Sequence, residues 1–420
     1  MADLSTFGLD VGIYGRLATP GPIMTLAQLA EEMGFASIWV ADHVAFPVSF
    51  ASKYPYAKEG DFPSKLDDPL LEPIAILGVL AGATKRVRLG TAVLVMAYRN
   101  PVLQARQLVT IDQMSGGRVI LGAGVGWLKE EFEVLGFDKF QQRGKATDEA
   151  IEIFKAIARG GEVGFAGEVY NFEPVFSSPG SVQRPHPPVL IGGVADPALR
   201  RVARHGDGWL ATSLGPERVA AQLDRLKAFC AETGRDYDSV KLVFKIFLNI
   251  GEPKRNQYDE REPATGSIGE IVDDLKRLRD LGFGETIVRV RAAPTLEATL
   301  EQIDRFASDI APRSDAPRPD GTCDARWSAW HRSACRADRL AVACGRPEGE
   351  GGAEGGRRGT GYRPVAALEA MALRLRRMAS RPTSSRTAQS PKAHMNHGCH
   401  SPQVNEASTM VEAKLAKMYG

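Results

Sequence analysis

A chain of 420 residues that is 43% hydrophobic and 25% charged has the composition of a soluble globular protein, long enough for one large domain or two ordinary ones. Its formal net charge of +2 hides a split: residues 1–310 carry 35 Lys+Arg against 41 Asp+Glu, a net of −6, and residues 311–420 carry 18 against 10, a net of +8. The acidic body excludes a basic nucleic-acid footprint, Cys230 as its single cysteine excludes an internal disulfide, and no apolar run is long enough for a membrane span. The N-terminus has no basic stretch followed by a long apolar core, so a cytoplasmic protein with no membrane or nucleic-acid partner is expected.

Strand-like and helix-like segments alternate along the body. Residues 6–15 (TFGLDVGIYG) read as a strand, 25–35 as a helix ending at Gly34, 37–43 (SIWVADH) as a strand and 70–84 as a helix. Strand 88–95 precedes a helix over 101–117, which Pro101 opens and Gly116 closes, and RVILGAGVGW (118–127) is the fourth strand, with a helix at 147–161. Residues 162–188 interrupt the pattern as a hairpin and a proline-rich return. Strands at 189–193, 208–212, 240–250 and 285–290 then alternate with helices at 196–205, 216–233, 268–281 and 295–309. Eight β/α units with nearly continuous apolar strands predict an α/β fold, a closed (β/α)8 TIM barrel with an insertion after strand two and a hairpin insertion before strand five. An open sheet with extra units is the alternative. Residues 1–310 form the barrel domain in this reading.

Residues 311–420 contain no Phe and no Ile and are rich in Arg, Gly and Pro. Such a segment buries too little apolar surface to offset its ordering entropy, so a mostly disordered tail is expected. Its composition also resembles out-of-frame translation of a GC-rich stretch, a gene-model artefact. HMNHGCH (394–400) superficially suggests metal ligands, but no second half has matching spacing, and no metal is expected.

In a parallel barrel the chemistry sits where strands end. His43, after Asp42 at the end of strand two, can hold or move a proton near neutral pH; the structural alternative is a histidine held by Asp42 or the backbone. Gly122, Gly124 and Gly126 either let the backbone approach a flat ligand or relieve crowding in the barrel, and their spacing is not that of a Rossmann turn. Gly192-Gly193, with a helix starting at Asp196, suits a phosphate. His186 reads as part of a rigid turn, and His205 with Asp207 as shaping a helix-to-strand turn. The insertion 45–69 holds Phe46, Phe50, Tyr54, Tyr56 and Phe62, either as a lid over a hydrophobic substrate or as a plain loop or contact surface. Glu130 and Glu131 are expected to face solvent.

Taken together, GFASIWVADHVAFP (34–47), residues 88–137, RGKATDEAIEIFKA (143–156), PHPPVLIGG (185–193) and ARHGDGWLAT (203–212) resemble the luciferase-like monooxygenase superfamily, and within it the members that use the deazaflavin coenzyme F420. The resemblance spans roughly residues 6–309. It implies a ring cofactor at the C-terminal face with His43 beside it, a non-proline cis peptide at Ala92-Val93 behind it, Gly124, Val125 and Gly126 along it, and Gly192 and Gly193 at its phosphate. Trp127 stands where some F420-dependent dehydrogenases carry a glutamate, so their sugar-phosphate chemistry is not implied; with Phe46, Trp127 is expected to line the substrate pocket.

The implied function is an oxidoreductase passing a hydride between reduced coenzyme F420 and a small organic substrate. The alternatives are a two-component monooxygenase that uses FMNH2 from a flavin reductase partner, and a flavin-binding barrel without turnover. A homodimer through helices near strands two and three is expected from the resemblance.

Overall fold

The computed structural model describes residues 4–314 except 63, 64, 66 and 292. The metal-like motif and all of the expected disordered tail beyond Ser314 lie outside the described residues. A short helix, Ala311–Ser314, continues past the expected boundary, and Arg279 Nη1 donates to the Ser314 carbonyl at 2.5 Å.

Eight parallel strands run in chain order as β1 (Phe7–Asp10), β2 (Ser37–Val40), β3 (Arg88–Thr91), β4 (Val119–Gly124), β5 (Val189–Gly192), β6 (Gly208–Thr212), β7 (Lys241–Ile250) and β8 (Glu285–Val290). Each pairs with the next, and β8 pairs with β1 through Phe7–Thr286, Gly8–Ile287 and Leu9–Val288, so the sheet closes. Closure excludes the open-sheet alternative. The helices are α1 (Pro20–Met33), α2 (Pro73–Ala83), α3 (Pro101–Ser115), α4 (Lys129–Val134), α5 (Arg143–Arg159), α6 (Asp196–His205), α7 (Pro216–Glu232), α8 (Ile268–Asp280) and α9 (Leu296–Arg305). The hairpin before β5 is present as Gly161–Ala166 paired antiparallel with Asn171–Ser177.

Local chemistry sets the element ends. Asn100 Oδ1 accepts from Val102 N and Leu103 N at 3.0 and 3.1 Å, Pro101 opens α3, and Gly116 closes it at φ +70°. Ser267 and Glu270 form a reciprocal capping box on α8. Inside the barrel, Trp39 fills the space that two neighbouring strands leave by lacking side chains. A Cβ on Gly8 would lie 2.4 Å from the Trp39 indole nitrogen, and one on Gly90 would lie 2.3 Å from its ring carbon. Ile120, Leu190, Leu210, Val243 and Ile287 complete this inner layer, and the larger core lies between the sheet and the helices. No helix among the described residues is long and apolar enough to cross a membrane.

Candidate active site

The third strand does not run unbroken to residue 95. It stops at Thr91, a cis peptide joins Ala92 to Val93, and Leu94–Val95 resumes as a short strand against Ala123 and Gly124. The cis bond falls at the position the resemblance implied. Val93 thereby bulges across the C-terminal mouth. A Cβ on Gly124 would lie 2.3 Å from Val93 Cγ2, and one on Gly192 would lie 2.4 Å from Val93 Cγ1. A Cβ on Gly122 would meet the Thr91 carbonyl oxygen at 1.8 Å. These glycines therefore make room for the bulge. Gly124 and Gly192 also line a cavity, with Ala92, Val93, Val125, Gly126, Trp127 and Gly193.

His43 follows β2 on the same rim and is 6% exposed. Asp42 does not hold it. The Asp42 carboxylate instead takes a bidentate pair from Arg99, 2.9 Å to each oxygen, and accepts from Val95 N at 2.8 Å, which clamps the bulged segment. The partner of His43 is Glu131, whose Oε2 lies 2.7 Å from Nδ1. Contrary to the expectation of solvent exposure, Glu131 is fully buried: α4 turns it inward, and its carboxylate collects Val44 N at 2.6 Å, Ala45 N at 3.0 Å and the Tyr98 hydroxyl at 2.8 Å. Burial opposes its ionisation, but the hydrogen bond and charge of His43 and the two backbone N–H groups hold the carboxyl below its usual range. An ionised Glu131 only accepts, so the proton of a neutral His43 sits on Nδ1, and Nε2 is the ring nitrogen left for a ligand.

Glu130, the neighbouring acid, stays partly exposed, but its carboxylate is engaged by the insertion. Its Oε1 accepts from Ala51 N and Ser52 N at 2.8 and 3.2 Å, which ties the insertion to α4; burial raises its pKa, but the hydrogen bonds of the Ser52 side chain and of these backbone groups together bring it down to about 2. The sequence signal for both acids was their place one turn after the glycine strand, but which side of that turn faces the barrel is decided by packing. Phe132, fully buried with its ring 4.7 Å from that of Tyr98, anchors that turn.

The insertion covers the rim with aromatic rings. Phe62 lies 5.0 Å from the His43 ring, 5.7 Å from Trp127 in a stacked arrangement and 5.3 Å from both Tyr14 and Tyr54. Phe46 packs 4.5 Å from the His43 ring but forms no wall of either cavity described here. The rim cavity measures about 210 Å³, small for a cofactor pocket because these rings crowd its mouth. A second chamber of about 590 Å³ adjoins it and shares Tyr14, Tyr54, Tyr56 and Phe247 as walls. Lys245 lines the smaller cavity, donates to the Ala92 carbonyl at 3.1 Å and pairs with Asp10 at 2.6 Å. Burial alone would raise the Asp10 pKa, but Lys245 and Arg289 hold it below the usual range.

At the far side of the smaller cavity Gly193 adopts φ +116°, ahead of α6. No side chain caps that helix, and Asp196 in its first turn is paired with Arg225, Nε to Oδ1 at 2.6 Å, so its charge is met. Free backbone N–H groups and the helix dipole there fit an anion such as a phosphate. His186 and His205 stay away from the rim. His205 Nδ1 lies 3.0 Å from Glu152, and Asp207 accepts from Val189 N at 2.8 Å at the start of β5, in keeping with a turn-shaping role. Among the described residues no group of His, Cys, Asp and Glu could hold a metal ion.

Residues 4–306 match the family model described as luciferase-like monooxygenase. An uncharacterized protein of Mycobacterium tuberculosis is 31% identical over 292 residues, 68% of this chain and 93% of that one. An FMNH2-dependent dimethylsulfone monooxygenase of Pseudomonas putida is 27% identical over 307 residues, 70% of this chain and 77% of that one. The structure of an F420-dependent secondary alcohol dehydrogenase in complex with an F420-acetone adduct superposes with a TM-score of 0.59 at 18% identity, covering 75% of this chain and 99% of that one; this likeness shows the fold.

Proposed function

Because the chain belongs to the luciferase-like monooxygenase family, whose members are oxidoreductases and monooxygenases working with flavin or deazaflavin, we propose that it passes a hydride between reduced coenzyme F420 and a small organic substrate. The observation that carries the proposal is the buried His43–Glu131 pair on the barrel rim, beside the Val93 bulge and open to the cavity lined by Gly124, Val125, Gly126 and Trp127. A buried acid–base pair in a cavity is costly for a mere scaffold, which argues against a flavin-binding barrel without turnover.

When bound, the reduced ring supplies the hydride or the oxygen chemistry. The protein's own part is positioning and proton handling. Val93 would back one side of the ring, and Gly193 with the first turn of α6 would take its phosphate. His43 Nε2 would give or take the proton that balances the transfer, and Glu131 keeps Nδ1 as the protonated nitrogen. The rings of Trp127, Phe62 and Phe46 would exclude water. The dimethylsulfone relative favours a second reading, a monooxygenase that takes FMNH2 from a flavin reductase partner. A cytoplasmic homodimer goes with either reading: α2 and α3 expose Val79 (55%), Leu103 (57%) and Met114 (76%), and the one cysteine among the described residues, Cys230, is free.

Parallel fluorescence titrations of the apoprotein with F420 and with FMN test the assignment. Selective F420 binding is expected. Selective FMN binding would replace the first reading with the second, and binding of neither would overturn both.

A further inference from the structure

Above the apolar layer inside the barrel, the two sides of the sheet differ. On β7 and β8, Val243 and Ile287 belong to that layer, and Lys245 and Arg289 follow two residues later on the same face of their strands. Asp10 stands likewise two residues beyond Gly8 on β1. On the opposite side, two residues beyond Ile120 and Leu190, β4 and β5 carry only Gly122 and Gly192, and the bulged segment takes the space. Lys245 reaches across. Its Nζ pairs with Asp10 Oδ2 at 2.6 Å and donates to the Ala92 carbonyl at 3.1 Å. Asp10 does not depend on this lysine, because Arg289 at 3.1 Å and Gly12 N at 2.9 Å also serve its carboxylate. The Ala92 carbonyl does: among the described residues, Lys245 is the one side chain that donates to the backbone of Ala92 or Val93. The segment has two further holds, Ala92 N on the Val40 carbonyl at 2.7 Å and Asp42 on Val95 N at 2.8 Å. Lys245 adds a hold from across the barrel, and it lines the same cavity as Val93.

A neutral hydroxyl or amide would satisfy a carbonyl at a lower desolvation cost than an ammonium whose side chain is 8% exposed. What the charged donor adds is a firmer hold: a charge-assisted hydrogen bond, anchored in turn on a carboxylate, fixes its acceptor more tightly than a neutral one. We propose that Lys245 is a positioning residue, which sets through the Ala92 carbonyl how far Val93 stands into the rim cavity and so how closely Val93 backs the ring. Nζ carries three N–H donors, and Asp10 and Ala92 take two; a third bonded directly to a ligand is the competing role. The hold on the bulge stands by itself, and only its consequence for the ring rests on the ring site proposed above.

Methyl NMR of the full chain tests the hold, and a ring titration tests its consequence. The Val93 methyl signals are identified by their loss in Val93→Ala, and in the wild type they should show contacts to the Cα protons of Gly124 and Gly192, which Val93 crowds. Lys245→Met should shift these signals and weaken the contacts. Arg289→Met also removes a cation from Asp10 but leaves the Ala92 bond, and should leave the signals in place. Equal shifts in both variants would mean that any loss from the ionic layer disturbs the bulge, and unmoved signals in Lys245→Met would mean that the bulge is held without it; either result overturns the positioning role. Where Lys245→Met does not fold, Asp10→Asn is added to both variants and the same comparison is made. Lys245→Met is further expected to raise about tenfold the dissociation constant of whichever of F420 or FMN binds, and to alter the visible circular dichroism of the bound ring. In a Val93→Ala background the same substitution should cost no more than about twofold, because the backing side chain is already gone. A full tenfold cost there would mean a direct bond to the ring and would overturn the positioning role. Should neither ring bind, the ring reading fails, and the methyl spectra decide whether Lys245 holds the bulge.

Discussion

Replacing Glu131 by glutamine changes one oxygen to an NH2 group in a site built for an acceptor. Four donors converge on the carboxylate: Val44 N and Ala45 N on Oε1, and His43 Nδ1 and the Tyr98 hydroxyl on Oε2. The amide oxygen can still serve the two backbone groups. The amide nitrogen then faces His43 and Tyr98, both of which had donated. The tyrosine hydroxyl can rotate to accept, but the imidazole can accept at Nδ1 only by moving its proton to Nε2. All four charge-assisted hydrogen bonds become neutral ones, each about 0.5–1 kcal/mol weaker, so Glu131→Gln is expected to cost about 2–4 kcal/mol in urea unfolding. Glu131→Ala leaves all four donors without a partner and should exceed about 4 kcal/mol. Because the folded pKa of Glu131 lies below the unfolded value, its stabilisation is present above the ordinary carboxylate range and is lost as pH falls through the folded value. The glutamine variant should lose that part of the acid limb. The decisive assay is nitrogen NMR of the labelled imidazole, which separates the two tautomers. The wild type should carry its proton on Nδ1 and the variant on Nε2, with a flattened pH–rate profile. A variant that keeps the Nδ1 proton and its turnover would refute the positioning role of Glu131.

Gly192→Ala should cost about 1–3 kcal/mol in thermal or urea unfolding because its Cβ would lie 2.4 Å from Val93 Cγ1, and pairing it with Val93→Ala should recover most of the loss; additive costs would mean that the bulge does not set the glycine. Burial and the nearby Arg88 charge lower the Lys241 pKa from 10.5 to about 8, against the attraction of Asp207. The folded state then binds fewer protons than the unfolded state between these values, so stability should rise with pH across that window, and Lys241→Met should abolish the rise and stabilise the protein at pH 7 by at most about 3 kcal/mol. Light scattering should give twice the chain mass, and Leu103→Asp on the exposed face of α3 should halve it; a wild-type monomer would remove the homodimer proposal.

The barrel was legible in the sequence because each strand is a short apolar run and two of the helices carry their own stop, at Gly34 and Gly116, whose αL conformations need no tertiary partner. His43 was legible from its place after β2, since strand ends define the reactive face. The resemblance, not the pattern, located the cis peptide at Ala92-Val93. What the one-dimensional pattern did not carry was the inward side of α4. Glu130 and Glu131 look like solvent-facing acids until Phe132 packs on Tyr98 and turns the helix, so that one acid receives His43 and the other receives the insertion. The glycines divide in the same way. The sequence shows that Gly124 and Gly192 are bare, but only the fold shows that Val93, 31 and 99 residues away from them in the chain, occupies the space they leave. The sharing of Asp10 between Lys245 and Arg289 is likewise a tertiary property, because Asp10 lies on β1 and the two cations on β7 and β8, and they meet only when β8 closes on β1. Backbone preference and hydrophobic period act over a few residues and are written locally; which polar groups share a dry space depends on chain closure, and that is decided by packing.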